Sequence, residues 1–194
     1  MHQVSHERRV QGREIALVGL FAALTAVGAV FSIPLGGAVP FTLQLMFTLL
    51  AGALLGSRLG ALSQLSYLLM GFVGLPVFSM RRAGIGMLFG PTGGFLVGFV
   101  LGAYVTGLLV EWAVRRRGRS GPFLTVIAML AGALTTYVPG IAWLAWHVGG
   151  LQPAAISMLP FIPIDLIKAG LGTGIYVMLA TRGLLLQPAP AGRD

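Results

Sequence analysis

Long apolar runs broken by short stretches of glycine, proline or charge dominate the chain. Six runs stand out, at about 15–33, 41–56, 59–78, 93–113, 122–146 and 158–180. Allowing for the Gly and Pro that interrupt them, they approach the 18 or more apolar residues with which a helix crosses a hydrocarbon layer roughly 30 Å thick. The pattern predicts an all-α membrane protein: six transmembrane helices in a single compact bundle over residues 15–182. A polar, basic arm, residues 1–14, precedes the bundle, and a flexible tail, residues 183–194, follows it. The first apolar run is longer than the core of a signal peptide and lacks a small-x-small cleavage site, so it is expected to be retained.

Composition agrees with a membrane class. The 194 residues are 56% apolar and 9% charged, with a mean hydropathy of +0.89, well beyond the apolar share of a soluble domain. The 29 glycines supply small faces on which helix backbones approach closely. In the first run, Gly19 with Ala23, and Ala22 with Ala26, give two spacings of four. Cysteine is absent, which excludes disulfides, thiolate chemistry and iron–sulfur clusters.

Charge turns the six runs into a topology. Thirteen basic residues against five acidic ones give a net charge of +8, which by itself is compatible with nucleic acid. Placement argues for a membrane instead. With the N-terminus in the cytoplasm, ten arginines fall inside and only Arg81 and Arg82 outside, while Lys168 lies within the bilayer. That bias is the positive-inside rule, and it puts both termini in the cytoplasm. The "RRRGR" run at 115–119 suits anionic lipid headgroups or a cytoplasmic protein. Trp143 and Trp146 fit an outer interfacial belt and Trp112 an inner one. The outer connections at 32–41, 74–94 and 146–153 are rich in Gly and Pro. Non-helical backbone near membrane depth needs burial or a wet cavity, so a pocket open to the outside is expected.

One segment demands chemistry. In "PIDLIKAG" (163–170), Asp165 and the only lysine of the chain, Lys168, stand three apart within an apolar run and share a helix face. An ionisable side chain in a membrane helix costs on the order of 3 kcal/mol. Either the two neutralise each other and pin the helix, or both face the pocket and bind a ligand carrying polar groups of opposite demand. Thr42 and Gln44 at the start of the second run, and Tyr67 in the third, are candidates to join them. So is the loop "GPTGGF" (90–95), with Gly90, Thr92 and the backbone N–H groups of Gly93 and Gly94 at a helix start. Catalysis finds little support. An intramembrane aspartyl protease needs two acids, H-E-x-x-H is missing, and His147 lacks a supporting serine motif. The chain is therefore expected not to be an enzyme and to need no metal or cofactor.

The segments "PLGGAVPFTLQ" (34–44), "GALLGSRLGALSQLSYLLMGFVGLPVFS" (52–79), "GPTGGFLVGF" (90–99) and "FIPIDLIKAGLG" (161–172) together resemble the BioY family, the biotin-binding S components of energy-coupling factor (ECF) vitamin transporters. The likeness is collinear over about residues 15–182, and departs at "SMRRAG" (79–84), where small residues and glycines are expected. It implies capture of biotin from outside by a multi-pass protein of the cell membrane. It also implies three partners, a transmembrane coupling protein and two cytoplasmic ATPases. Ala22 and Ala26 are the residues implied to meet the coupling protein. The chain has no G-x-x-x-x-G-K-[ST] phosphate loop, in keeping with ATP hydrolysis by a partner. An S component for another vitamin and a self-sufficient secondary transporter or channel stay open as alternatives.

Overall fold

A computed structural model describes residues 2–34, 37–118 and 120–182; the expected tail, 183–194, lies outside them. The described chain is helical: α1 (His2–Val30), α2 (Gln44–Leu55), α3 (Ser57–Phe72), α4 (Gly86–Phe89), α5 (Gly93–Arg117), α6 (Pro122–Val148), α7 (Leu151–Met158) and α8 (Phe161–Thr181). A 3₁₀ turn at Ser79–Arg81 lies between α3 and α4. The first helix runs on through the polar arm without a break.

Among the described residues, four helices are long and apolar enough to cross a membrane: Gly12–Val30 of α1, α5, α6 and α8. The second and third runs fold as shorter helices of 12 and 16 residues, about 18 and 24 Å at 1.5 Å per residue. Gly56, at φ 86°, divides them, and a Cβ there would strike the Glu111 carboxylate. That carboxylate comes from α5 and takes the place of a local cap for α3. It accepts the backbone N–H of Ser57 at 2.7 Å and the Ser57 hydroxyl at 3.1 Å, while Arg115 stands 3.6 Å away.

Helix α2 is the hub and packs on α1, α3, α5, α6 and α8. All but two of its twelve residues are buried, so its polar side chains meet protein rather than lipid. The tightest pairing, α5 on α6, rests on Gly94, Gly98 and Gly102 at spacings of four. A Cβ on Gly98 would come 2.6 Å from the Thr136 carbonyl, and the Thr136 hydroxyl donates to the Gly98 carbonyl at 3.1 Å. Between α1, α2 and α3 lies a sealed polar knot. The Gln64 amide donates to Thr25 Oγ1 at 3.2 Å and Ser63 Oγ at 3.1 Å, and accepts from Thr48 Oγ1 at 3.0 Å. The helix-poor segments gather at one end of the bundle. The 31–43 connection is closed there by paired hydrogen bonds of 2.9 Å between Ile33 and Phe41.

A candidate substrate pocket

Pro160 caps α8 and Pro163 sits in its first turn, where a missing N–H costs nothing because no intrahelical acceptor awaits it. This start fixes Asp165 and Lys168 one to two turns inside the bundle, on the face turned to α2 and α6. They are 7% and 5% exposed. Lys168 Nζ donates to Asp165 Oδ1 at 2.7 Å and lies 4.3 Å from the ring centroid of Phe41, over its face. Tyr137 of α6 donates its hydroxyl to the other oxygen, Asp165 Oδ2, at 2.5 Å. Both carboxylate oxygens therefore hold a donor, and the buried charge is paired.

The cluster faces a cavity that opens to solvent, about 640 Å³ with its open mouth included. Its wall is mostly apolar: Val39 and Pro40 from the 31–43 connection, Leu45 of α2, Phe78, Met87, three α5 residues (Phe95, Leu96, Phe99), Met158 and Phe161. Thr42, Gln44, Ser79, Thr92, Thr136, Tyr137, Asp165 and Lys168 supply its polar points. A largely apolar wall with a few convergent polar groups suits a ligand whose body is apolar and whose ends are not. Among the described residues, no group of three or more His, Cys, Asp or Glu side chains converges to hold a metal ion.

Of the residues singled out in the sequence, Asp165, Lys168, Thr42, Gln44 and Thr92 line the cavity. Tyr67 stands behind the wall, fully buried. It accepts from the Gln44 amide at 2.5 Å and donates to the Val77 carbonyl at 3.2 Å, so it ties α2 to the loop that carries Phe78 and Ser79. The glycine loop differs from expectation. Gly90, Gly93 and Gly94 are not wall residues: the Gly90 carbonyl accepts the Trp143 indole N–H at 3.0 Å and the Gly93 N–H at 3.0 Å. A Cβ on Gly93 or Gly94 would collide with the Leu88 or Pro139 carbonyl. These glycines allow close packing and leave no free N–H at Gly93 for an anion.

Ala22 and Ala26, the residues implied to meet a coupling protein, differ in exposure. Ala22 is 1% exposed and Ala26 half-buried against the same core. Phe21, Thr25, Gly28 and Ala29 fill the rest of that inward stripe, and the exposed face of α1 carries Gly19 and Ala23 instead. Arg81 and Arg82 are exposed, just beyond Ser79. Sequence reasoning missed Tyr137, Phe41 and Phe95. A tyrosine beside Thr135 and Thr136 and two residues before an intrahelical proline, Pro139, is the signal that was available for the first.

A helical bundle with spans apolar enough for lipid, and a partly polar pocket bordered by loops at one end, defines a membrane-embedded solute-binding protein. Residues 3–183 match the family model described as the BioY family. The chain belongs to the BioY family. A biotin transporter BioY of Thermotoga maritima is 42% identical over 158 residues, 80% of this chain and 89% of that protein. A biotin transporter BioY of Rhodobacter capsulatus is 44% identical over 167 residues, 80% of this chain and 87% of that protein. The crystal structure at 2.1 Å of the S-component for biotin from an ECF-type ABC transporter superposes with a TM-score of 0.81 at 28% identity, covering 88% of this chain and 92% of that one. These relatives are named as transport proteins and not as enzymes.

Proposed function

We infer that this chain captures biotin at its loop-covered end and serves as the S component of an ECF-type transporter. One observation carries the reading: the buried Asp165–Lys168 pair, with the Tyr137 hydroxyl on it, borders a mostly apolar cavity. Biotin presents two N–H donors and a carbonyl on its ureido ring, an apolar thioether ring and an anionic valerate tail. The carboxylate, ammonium and phenol, with Thr42, Gln44 and Thr92, match its polar ends, and the phenylalanine and methionine wall matches the rest. The names of the relatives point the same way.

The chain crosses the cytoplasmic membrane six times, with α2 as a short pass sheltered by its neighbours and α3 as a short pass whose Leu62, Leu65 and Leu69 face is exposed. Both termini lie in the cytoplasm, and the pocket faces outward. The arginine-rich end of α5 and the exposed Arg58 then lie inside, as the positive-inside rule requires. Residues 1–14 form a cytoplasmic arm and 15–182 the binding domain. A coupling membrane protein and two cytoplasmic ATPases supply the energy, and the coupling protein docks on the α1 face that carries Ala26 with the exposed Gly19 and Ala23. The test is equilibrium binding of biotin to the purified chain in detergent, with riboflavin, thiamin and folate as competitors. Saturable biotin binding that the other vitamins do not displace is expected; displacement by one of them would reassign the substrate.

A further inference from the structure

The pocket cluster contains one donor that charge neutrality does not require. Lys168 already neutralises Asp165 across 2.7 Å. Tyr137 adds a neutral donor from a different helix, 2.5 Å from Oδ2, and lines the cavity. Its ring stands edge-on to Phe95, with centroids 6.0 Å apart and planes at 84°. The ring is thereby fixed, and the hydroxyl hydrogen alone is free to re-aim about the C–O bond.

A cyclic ureido group carries an N–H donor and a carbonyl acceptor side by side on one edge. Its complement is an acceptor beside a donor, which is what Asp165 Oδ2 and Tyr137 Oη present. The anionic end of a ligand does not suit this spot, because it would set a second carboxylate against Asp165. Lys168 has further N–H donors beyond the one on Asp165, but it sits at Oδ1 and beside the Phe41 ring, whereas Tyr137 is the donor adjacent to the Oδ2 acceptor.

The geometry points to Tyr137 as the hydrogen-bond donor to the ureido carbonyl of the ligand. As the ligand enters, one of its N–H groups takes the place of the phenol on Asp165 Oδ2, and the released O–H turns to the carbonyl. Before and after this exchange every polar atom of the set is paired, so the empty pocket carries no orphaned carboxylate oxygen. The inference rests on the reading of the cavity as a biotin site and adds a specificity-determining residue to it.

Three ligands separate the possibilities. Biotin and desthiobiotin both keep the ureido oxygen; the analogue with sulfur in place of that oxygen keeps both N–H donors but is a poor acceptor. Their dissociation constants are measured on the wild-type chain and on Tyr137→Phe, which keeps the ring against Phe95. Loss of one buried hydrogen bond predicts about tenfold weaker binding of biotin and desthiobiotin. The sulfur analogue should change by no more than about twofold. Equal loss for all three ligands would make Tyr137 a support for Asp165 only, and no loss would remove it from the site; either result overturns the assignment. Failure of the wild-type chain to bind biotin would overturn the functional reading itself, and this assignment with it.

Discussion

Two buried polar clusters occupy the same bundle and behave as opposites. The Gln64 knot is built from uncharged side chains of α1, α2 and α3, all fully buried, and each hydroxyl or amide in it finds its partner inside the cluster or on nearby backbone. The Tyr137–Asp165–Lys168 cluster joins α6 to α8, carries formal charge and borders a cavity. Thr48 of the knot is one helical turn from Gln44 of the pocket wall, so distance does not separate them; exposure to the cavity does. A sealed neutral network holds helices together. A charged one beside an opening leaves lone pairs and donors facing a guest, and its cost in stability is offset when the guest arrives.

Removing Lys168 should have the largest effect. Lys168→Ala leaves Asp165 buried without its counter-charge, which costs about 3–5 kcal/mol of stability. The same variant should weaken biotin binding on the order of 100-fold, the scale for losing one partner of a buried charge pair. Thermal unfolding in detergent and equilibrium binding check the two halves. Replacing both members, Asp165→Asn with Lys168→Met, should recover most of the melting temperature but none of the affinity, because neutral residues of similar shape remove the unpaired charge and not the need for it. Recovery of binding by the double variant would show that the pair only pins α8.

Gln64→Leu should sharpen the contrast from the other side. Thr25 retains its bond to the Phe21 carbonyl at 2.9 Å and Ser63 its bond to Gly60 at 2.7 Å, so Thr48 is the hydroxyl that loses its partner. The expected cost is about 1–2 kcal/mol of stability, read as a lower melting temperature, with biotin affinity within about twofold of wild type. A large loss of affinity would mean that the knot sets the pocket through α2, and the distinction between the clusters would fail.

The two clusters also differ in how far the sequence reveals them. Asp165 and Lys168 are conspicuous because charge in an apolar run is expensive, and their i, i+3 spacing makes the pairing local. Tyr137 meets Asp165 across 28 residues and Gln64 meets Thr25 across 39. Neither a tyrosine nor a glutamine is rare enough in an apolar run to announce a partner on another helix. Glycine was ambiguous for a related reason. "GPTGG" reads as a ligand loop, yet Gly94, Gly98 and Gly102 form a four-residue series whose meaning is helix contact. On α1 the inward stripe could have been read from Phe21 and Thr25, bulky and polar residues that belong inside with Ala22, leaving Gly19 and Ala23 outside. The shortness of α2 and α3 follows from Gly56, whose positive φ and contact with Glu111 end one helix and begin the next with no loop between.

The smallest expected effect concerns what keeps the pocket mouth in place. Trp143 of α6 donates its indole N–H to the Gly90 carbonyl at 3.0 Å, and His147 one turn on contacts the Phe89 carbonyl at 3.0 Å. The segment they hold leads from Met87 to Thr92, both wall residues. Trp143→Phe removes one hydrogen bond at a partly exposed site, a net effect of about 0.5 kcal/mol, the lower end for such bonds. Because the bond restrains a covering segment and touches no ligand atom, the change should fall on release: biotin should dissociate about two- to threefold faster while association changes little. Rapid-mixing displacement of bound biotin measures this directly. Unchanged dissociation would place the Met87–Thr92 segment outside the barrier to escape, leaving the Val39–Pro40 and Phe78–Ser79 sides of the cavity to retain the ligand.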